Sequence, residues 1–224
     1  WLRLYLTLEV LGFLFGVDKA TVSRYTTRML PALRTVGEGT LGWIEPPKRG
    51  KGMNLAEAMA AYPDLFAFVD ATEQPVQRPS DKEEQKEHYS GKKKRHTRKT
   101  QVVVNEDGIV RDVSESVPGS VHDRTLFKQS GVAEKIPKDT LVGGDLGYLG
   151  IQNDFPDHSI LLPFKNSKLH PLTDEQKQLN REFSSGRIIV ENTLSQFKIF
   201  KSLSERFRHN NDKYDDVFRS VLAV

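Results

Sequence analysis

Three ionisable residues share one stripe of the segment "GRIIVENTLSQFK", Gly186 to Lys198. On a helix turning about 100° per residue, Glu191 lies about 40° and Lys198 about 20° from Arg187. Ile189, Phe200 and Leu203 fall on the far side. A carboxylate held between two cations has an ordinary reading, an ion pair of Glu191 with Arg187 on a solvated face. It also has a chemical one. A carboxylate is a ligand for a hard cation, a nearby guanidinium can orient it, and a lysine two turns on can touch a phosphate. Two further acids occupy comparable places. Asp70 ends the apolar run "LFAFVDAT" and Asp145 ends "TLVGGDLGYLG". Both runs read as short buried strands, and strand ends of α/β sheets are where ligands gather. An Asp there is most often a turn or cap residue. Three such carboxylates could also converge on Mg²⁺ or Mn²⁺, which take oxygen ligands. Two ions roughly 3.5–4 Å apart would clamp the attacking and leaving oxygens of a phosphoryl displacement.

Asp123, in "GSVHDRTLF", rivals Asp145 for the second position. It opens a predicted helix, where the helix dipole gives an acid its own reason to be. Asp145 is preferred because it ends a strand, as Asp70 does. His122 beside Asp123 is a structural histidine or an outer partner of the site.

The elements that must position these residues follow from pattern. "LEVLGFLFGVDKATVSRYTTRMLPALR" predicts an apolar helix, a turn at Gly16 and a second helix capped by Asp18. Val22, Tyr25, Met29 and Leu33 supply its apolar spacing. Two helices joined by a short glycine turn form the helix-turn-helix pattern. The second helix would present Lys19, Thr21, Ser23, Arg24 and Arg28 outward, a set suited to phosphates and base edges. "GEGTLGWIEPPKRGKG" reads as a linker and "NLAEAMAAYPD" as a short helix. A polar stretch follows Asp70, from Glu73 to Lys99. "TQVVVNEDGIVRDVSESV" predicts a hairpin turning at Asp107-Gly108. A helix capped near Ser120 follows, then the Asp145 strand and a further strand, "HSILLPF". The last segment, from Leu172, is helical with a break around Ser184 to Gly186. This order predicts the α/β class, a mixed sheet flanked by helices. The division is 1–45 for the helix-turn-helix region, 46–64 for the linker and short helix, and 65–224 for the sheet domain.

The chain has 224 residues, 33 Lys and Arg against 30 Asp and Glu, and no cysteine. Disulfides and thiolate metal sites are thereby excluded. The stretch "WLRLYLTLEVLGFLFGV" carries Arg3 and Glu9 and is short for a membrane span; a packed amphipathic helix is expected instead. The chain begins at Trp1 and stops in an apolar run at Val224, as a fragment or trimmed chain would. Net charge is only +3, yet Ser90 to Thr100 holds six cations and no acid: Lys92, Lys93, Lys94, Arg95, Arg98 and Lys99. A basic segment on a body of charge 3 − 6 = −3 points to a polyanion. A solvated basic loop is the plain alternative.

Taken in order, "FVDATEQPVQRP", "YSGKKKRHTRKTQVVV", "GSVHDRTLF", "GDLGYLG" and "GRIIVENTLSQFK" resemble the DDE transposases of bacterial insertion sequences, in the group related to Harbinger elements. The likeness covers roughly residues 5 to 205. It implies an RNase H-like core behind a helix-turn-helix, with Asp70, Asp145 and Glu191 as catalytic metal ligands. Arg187, Glu191 and Lys198 match the spacing of the family's last motif; Ser184 stands where that motif has a Tyr. The resemblance further implies Mg²⁺ or Mn²⁺, two ions during catalysis. A water would cut at an element's end and the freed 3′-hydroxyl would join target DNA. The implied partners are double-stranded DNA, as terminal inverted repeats and target, and a second copy in a homodimer. No membrane is implied, and the implied setting is the bacterial cytoplasm at the nucleoid. The basic segment would hold DNA backbone without reading sequence. Two rivals share the fold: a domesticated transposase that only binds DNA, and a metal nuclease of repair or RNA processing. Intact acids at all three positions weigh against the first, and the fused helix-turn-helix against the second.

Overall fold

The computed structural model describes residues 1–43, 65–169 and 171–224. The linker from Ile44 on and the predicted "NLAEAMAAYPD" helix lie outside the described residues.

Helix α1 (Leu8–Phe15) is capped by Thr7 and ends at Gly16, whose φ of 65° suits a residue without a Cβ. Helix α2 (Lys19–Glu38) starts at Asp18, whose carboxylate accepts the Thr21 N–H at 2.7 Å. The helix-turn-helix expected from sequence is therefore present, with two corrections. Residues 1–17 are not one packed helix: only Leu8–Phe15 is helical, and Phe13 and Phe15 are 87% and 75% exposed. Of the apolar positions on α2, Val22 is buried while Tyr25 and Met29 face solvent. Leu30 carries the core contact instead.

The sheet has strand order β2-β3-β1-β6-β7, with β4 and β5 both pairing with β3. The strands are β1 (Phe66–Pro75), β2 (Tyr89–Ser90), β3 (Arg95–Asn105), β4 (Val110–Val113), β5 (Val117–Pro118), β6 (Leu141–Gly143) and β7 (Ser159–Leu161). β1 runs antiparallel to β3 and parallel to β6, and β6 is parallel to β7. This is the mixed α/β arrangement expected of an RNase H-like core. The Asp107-Gly108 hairpin is present, Gly108 taking φ 80°.

Helices α3 (Lys82–His88), α4 (Asp123–Gln129), α5 (Val132–Lys135), α6 (Ile151–Asp154), α7 (Asp174–Ile199), α8 (Lys201–Ser204) and α9 (Tyr214–Ser220) cover the sheet. Side chains alternate along β1. Phe68, with Val102 and Val104 of β3, faces Val190, Leu194 and Phe197 of α7. Ala67 and Val69 face Phe127, Val132 and Tyr148 on the other side.

Four sequence expectations change here. The predicted break in the last helix is absent: α7 is continuous for 26 residues and opens with a Thr173–Gln176 capping box. Ser184 and Ser185 return their hydroxyls to the carbonyls of Asn180 and Arg181, and Gly186 packs on Phe68, where a Cβ would come within 2.7 Å of the ring. Packing outweighs a helix-propensity cost of about 1 kcal/mol. The same helix ends at Ile199, so Phe200 caps it and Leu203 belongs to α8. The helix expected from Ser120 starts at Asp123 and breaks at Gly131, φ 66°. The polar stretch after Asp70 is ordered as the end of β1, α3, β2 and the start of β3.

Helix α2 joins the sheet domain directly. Leu30 lies in the main core, and the Ser220 hydroxyl donates to its carbonyl at 3.1 Å. Arg34 pairs with Glu38, Glu115 and Asp216, and Arg219 pairs with Glu38 and Glu115. Gly37 allows this approach: a Cβ there would strike the Arg219 carbonyl and lie 3.0 Å from the Leu222 Cβ. Gly37→Ala gains about 1 kcal/mol of helix propensity and loses about 1–3 kcal/mol to overpacking. A net loss is expected, read as a lowered midpoint in urea with an unchanged slope.

Candidate active site

The Asp123 and Asp145 carboxylates flank Gly147 just past the end of β6, and Asp70 lies within electrostatic reach of both. β6 pairs with β1 from Phe66↔Leu141 to Phe68↔Gly143 and no further. Asp70 lies two residues past Phe68 within β1, and Asp145 two residues past Gly143 in the turn that follows β6. Asp70 does not end its strand, contrary to expectation. β1 continues to Pro75 because β3 pairs with it over nine positions, Asp70 opposite Val102. The sheet thus carries Asp70 on a strand held from one side only.

Asp145 caps a 3-10 turn, Leu146–Tyr148, and accepts the Gly147 N–H at 2.8 Å. A Cβ on Gly147 would come within 2.5 Å of Asp123 Oδ2 and 2.9 Å of Asp145 Oδ1. Glycine is what lets the "DLGY" turn slide between the two carboxylates. Asp123 is already engaged. Its Oδ1 takes a 2.8 Å hydrogen bond from the buried Lys99 ammonium, which also donates to the Val121 carbonyl and lies 3.8 Å from Glu73. His122 stands exposed at the start of α4 without a capping bond.

Burial is the main reason the Asp70 carboxyl is raised above the usual range, and Asp145 and Asp123 add to it. Arg187 opposes them. The Arg187 guanidinium also donates to Glu191 Oε1 at 3.4 Å. The stripe read from sequence is thus real: Arg187 screens Asp70 with one side and tethers the exposed Glu191 with the other. The stripe borders the buried face of α7, which is formed by Val190, Thr193, Leu194 and Phe197. Lys198 stands within electrostatic reach of Asp70 and of Lys93, and burial followed by Lys93 lowers its ammonium.

Sequence reasoning missed Tyr148. It is fully buried, its hydroxyl lacks a hydrogen-bond partner among the described residues, and burial raises its phenol, with Asp123, Asp70 and Asp145 contributing. Its place in "DLGY" was the available signal. Two of the expected DNA contacts are engaged within the fold. Lys99 is buried against Asp123, and Arg98 binds Ser116 and stacks on Tyr214. Lys92, Lys93, Lys94 and Arg95 are exposed around the β2–β3 turn. On α2, Arg24 and Arg28 are exposed, Thr21 and Ser23 half-buried, and Lys19 pairs with Glu9.

Among the described residues, no three His, Cys, Asp or Glu side chains stand together closely enough to hold a metal ion. The donor chemistry nonetheless fits a hard cation: the acids are oxygen donors only, and Asp70 sits against like charges with the Ala71 N–H as its one hydrogen-bond partner among the described residues. That repulsion yields a prediction. Asp70 has a raised folded-state pKa, so ionised Asp70 destabilises the fold above that value, and the penalty vanishes below the ordinary Asp value of about 3.9. Without divalent ions, Asp70→Asn should raise the melting temperature at pH 7–8, and the gain should disappear as pH falls toward about 4.

The chain thus combines a helix-turn-helix with a mixed α/β sheet that carries carboxylates on β1 and beside the end of β6. The chain belongs to the DDE superfamily endonucleases. The family model for a DDE superfamily endonuclease matches residues 69–224, and that for the helix-turn-helix of DDE superfamily endonuclease matches residues 2–39. A probable transposase for insertion sequence element IS702 from Microchaete diplosiphon is 37% identical over 150 residues, 66% of this chain and 52% of that protein. Protein ALP1-like from Arabidopsis thaliana is 24% identical over 200 residues, 86% of this chain and 48% of that protein. The chain spans about half the length of these curated relatives. No solved structure matches it. No described helix is long and apolar enough to cross a membrane.

Proposed function

We propose that this chain cuts DNA at the ends of a mobile element and joins the freed strand to target DNA. The observation that carries this reading is the placement of Asp70 and Asp145 two residues beyond the last β1–β6 pair, with Arg187 in electrostatic reach of Asp70 and donating to Glu191. Asp70, Asp145 and Glu191 would hold Mg²⁺ or Mn²⁺, which supplies Lewis acidity to the phosphate and activates water. Arg187 orients the Glu191 carboxylate and offsets the charge of Asp70. Lys198 places a cation where a phosphate beside Asp70 would lie. Asp123, neutralised by Lys99, braces the turn that presents Asp145. Exposed Lys92 to Arg95 hold backbone, and the outward face of α2, with Arg24 and Arg28, contacts DNA in the manner of a recognition helix. The division into a helix-turn-helix region at 1–45 and a nuclease domain from 65 is part of the same proposal.

Intact acids at all three positions support catalysis over a role in binding alone. The test is nicking of supercoiled plasmid with Mn²⁺ and with chelator. Chelator-sensitive nicking is expected. Binding without nicking, even with the element's own ends supplied, would favour the DNA-binding alternative.

A further inference from the structure

A second cationic feature lies away from the carboxylates. A groove of about 1040 Å³ is walled by the end of β1, the β2–β3 turn and the segment after α8, and lined by Arg78, Lys94, Arg95, Arg206 and Arg208. Glu205 is its one acid among the described residues. Arg208 is occupied, lying 4.1 Å from the Tyr5 ring centroid and 3.7 Å from Glu205. Arg78 gives two donors to Gln85, and its others have no hydrogen-bond partner among the described residues. Lys94, Arg95 and Arg206 are exposed and form no ion pair among the described residues. Cations in this excess over one acid give the groove a positive potential that favours a polyanion.

Lys94 adds an independent observation. It takes φ 53°, a left-handed conformation that a glycine or asparagine would hold with less strain. A merely solvated turn has no need of a lysine there. The cations are also continuous with the site. Lys198 feels both Asp70 and Lys93, and Lys93 adjoins Lys94. Asp70 and Pro75 are joined by the same strand, about 17 Å at 3.3 Å per residue. That is about five base pairs of duplex DNA.

We propose that this groove is a track for the phosphodiester backbone of double-stranded DNA leaving the carboxylate site, with Lys94, Arg78 and Arg206 as its outer contacts. The proposal rests on the DNA-cutting function above and gives the duplex a direction: from Asp70 past Lys198 and Lys93, along β1, to the segment after α8. The contacts add affinity and register without reading sequence.

The test measures binding of a short random-sequence duplex to the full chain in chelator, across a series of salt concentrations. Arg78→Ala/Arg206→Ala should weaken binding and flatten the slope of log affinity against log salt by about 1.8, about 0.9 for each lost phosphate contact. Lys94→Gly separates charge from structure. It should raise the melting temperature by relieving the backbone, yet flatten the slope by about 0.9. Unchanged slopes and affinities in both variants would overturn the track. If the wild type binds and nicks DNA while the variants match it, only the groove is lost. If the wild type neither binds nor nicks DNA, the proposed function is lost with it.

Discussion

Asp70→Asn, Asp145→Asn and Glu191→Gln should each lower Mn²⁺-dependent nicking by on the order of 10²–10³-fold, the usual cost of removing one stabiliser of developing charge. Each change keeps the side chain's size and removes its charge, so the fold should persist. For Asp70 it should become more stable, which separates lost chemistry from lost structure. Arg187→Ala should cost about 10–100-fold, as an outer partner does. Asp123→Asn is the discriminating variant. Its carboxylate is bound to Lys99, so the substitution should cost about 1.5–3 kcal/mol of stability, the worth of a hydrogen bond to a charged group. Nicking measured well below its melting temperature should survive. Loss of nicking in Asp123→Asn with retention in Asp145→Asn would exchange their roles.

The largest expected stability effect lies in the helical layer that joins α2 to the sheet domain. Phe218 is 2% exposed, stacks on Phe197 at 5.4 Å between ring centroids and meets Tyr214 at 6.3 Å. Phe218→Ala removes an aromatic ring from between α7, α9 and α2. A cost of about 3–5 kcal/mol is expected, because the surrounding rings collapse only partly into the cavity. For a chain of this length that lowers the melting temperature by roughly 10 °C. Phe13→Ala is the control. Phe13 is 87% exposed, so its removal should move stability by less than about 0.5 kcal/mol. An equal effect at both positions would mean that α1 is covered by something in solution.

Local signals fixed what depends on neighbours in the chain. Asp18 as a cap, the Gly16 turn and the Asp107-Gly108 hairpin are each decided by the conformations a few adjacent residues can adopt, and all three are present. The stripe of Arg187, Glu191 and Lys198 follows from helical period alone. The extent of β1 does not, because its length is set by pairing with β3, which lies some thirty residues further on. The unbroken α7 does not either: Ser184 to Gly186 looks like a break until Phe68 packs against Gly186.

Charge was the least legible feature. Six cations between Ser90 and Thr100 look equivalent in sequence. In the fold, β3 turns Lys99 inward to Asp123 and Arg98 toward Ser116, while the β2–β3 turn leaves Lys92 to Arg95 outside. Arg78 and Arg206 join the last of these across a groove although 128 residues separate them. Sequence alone determined which residue types were available and which elements would carry them. Tertiary structure decided which carboxylates face one another and which cations stay free, because strand pairing and close approach at glycine act between residues far apart in the chain.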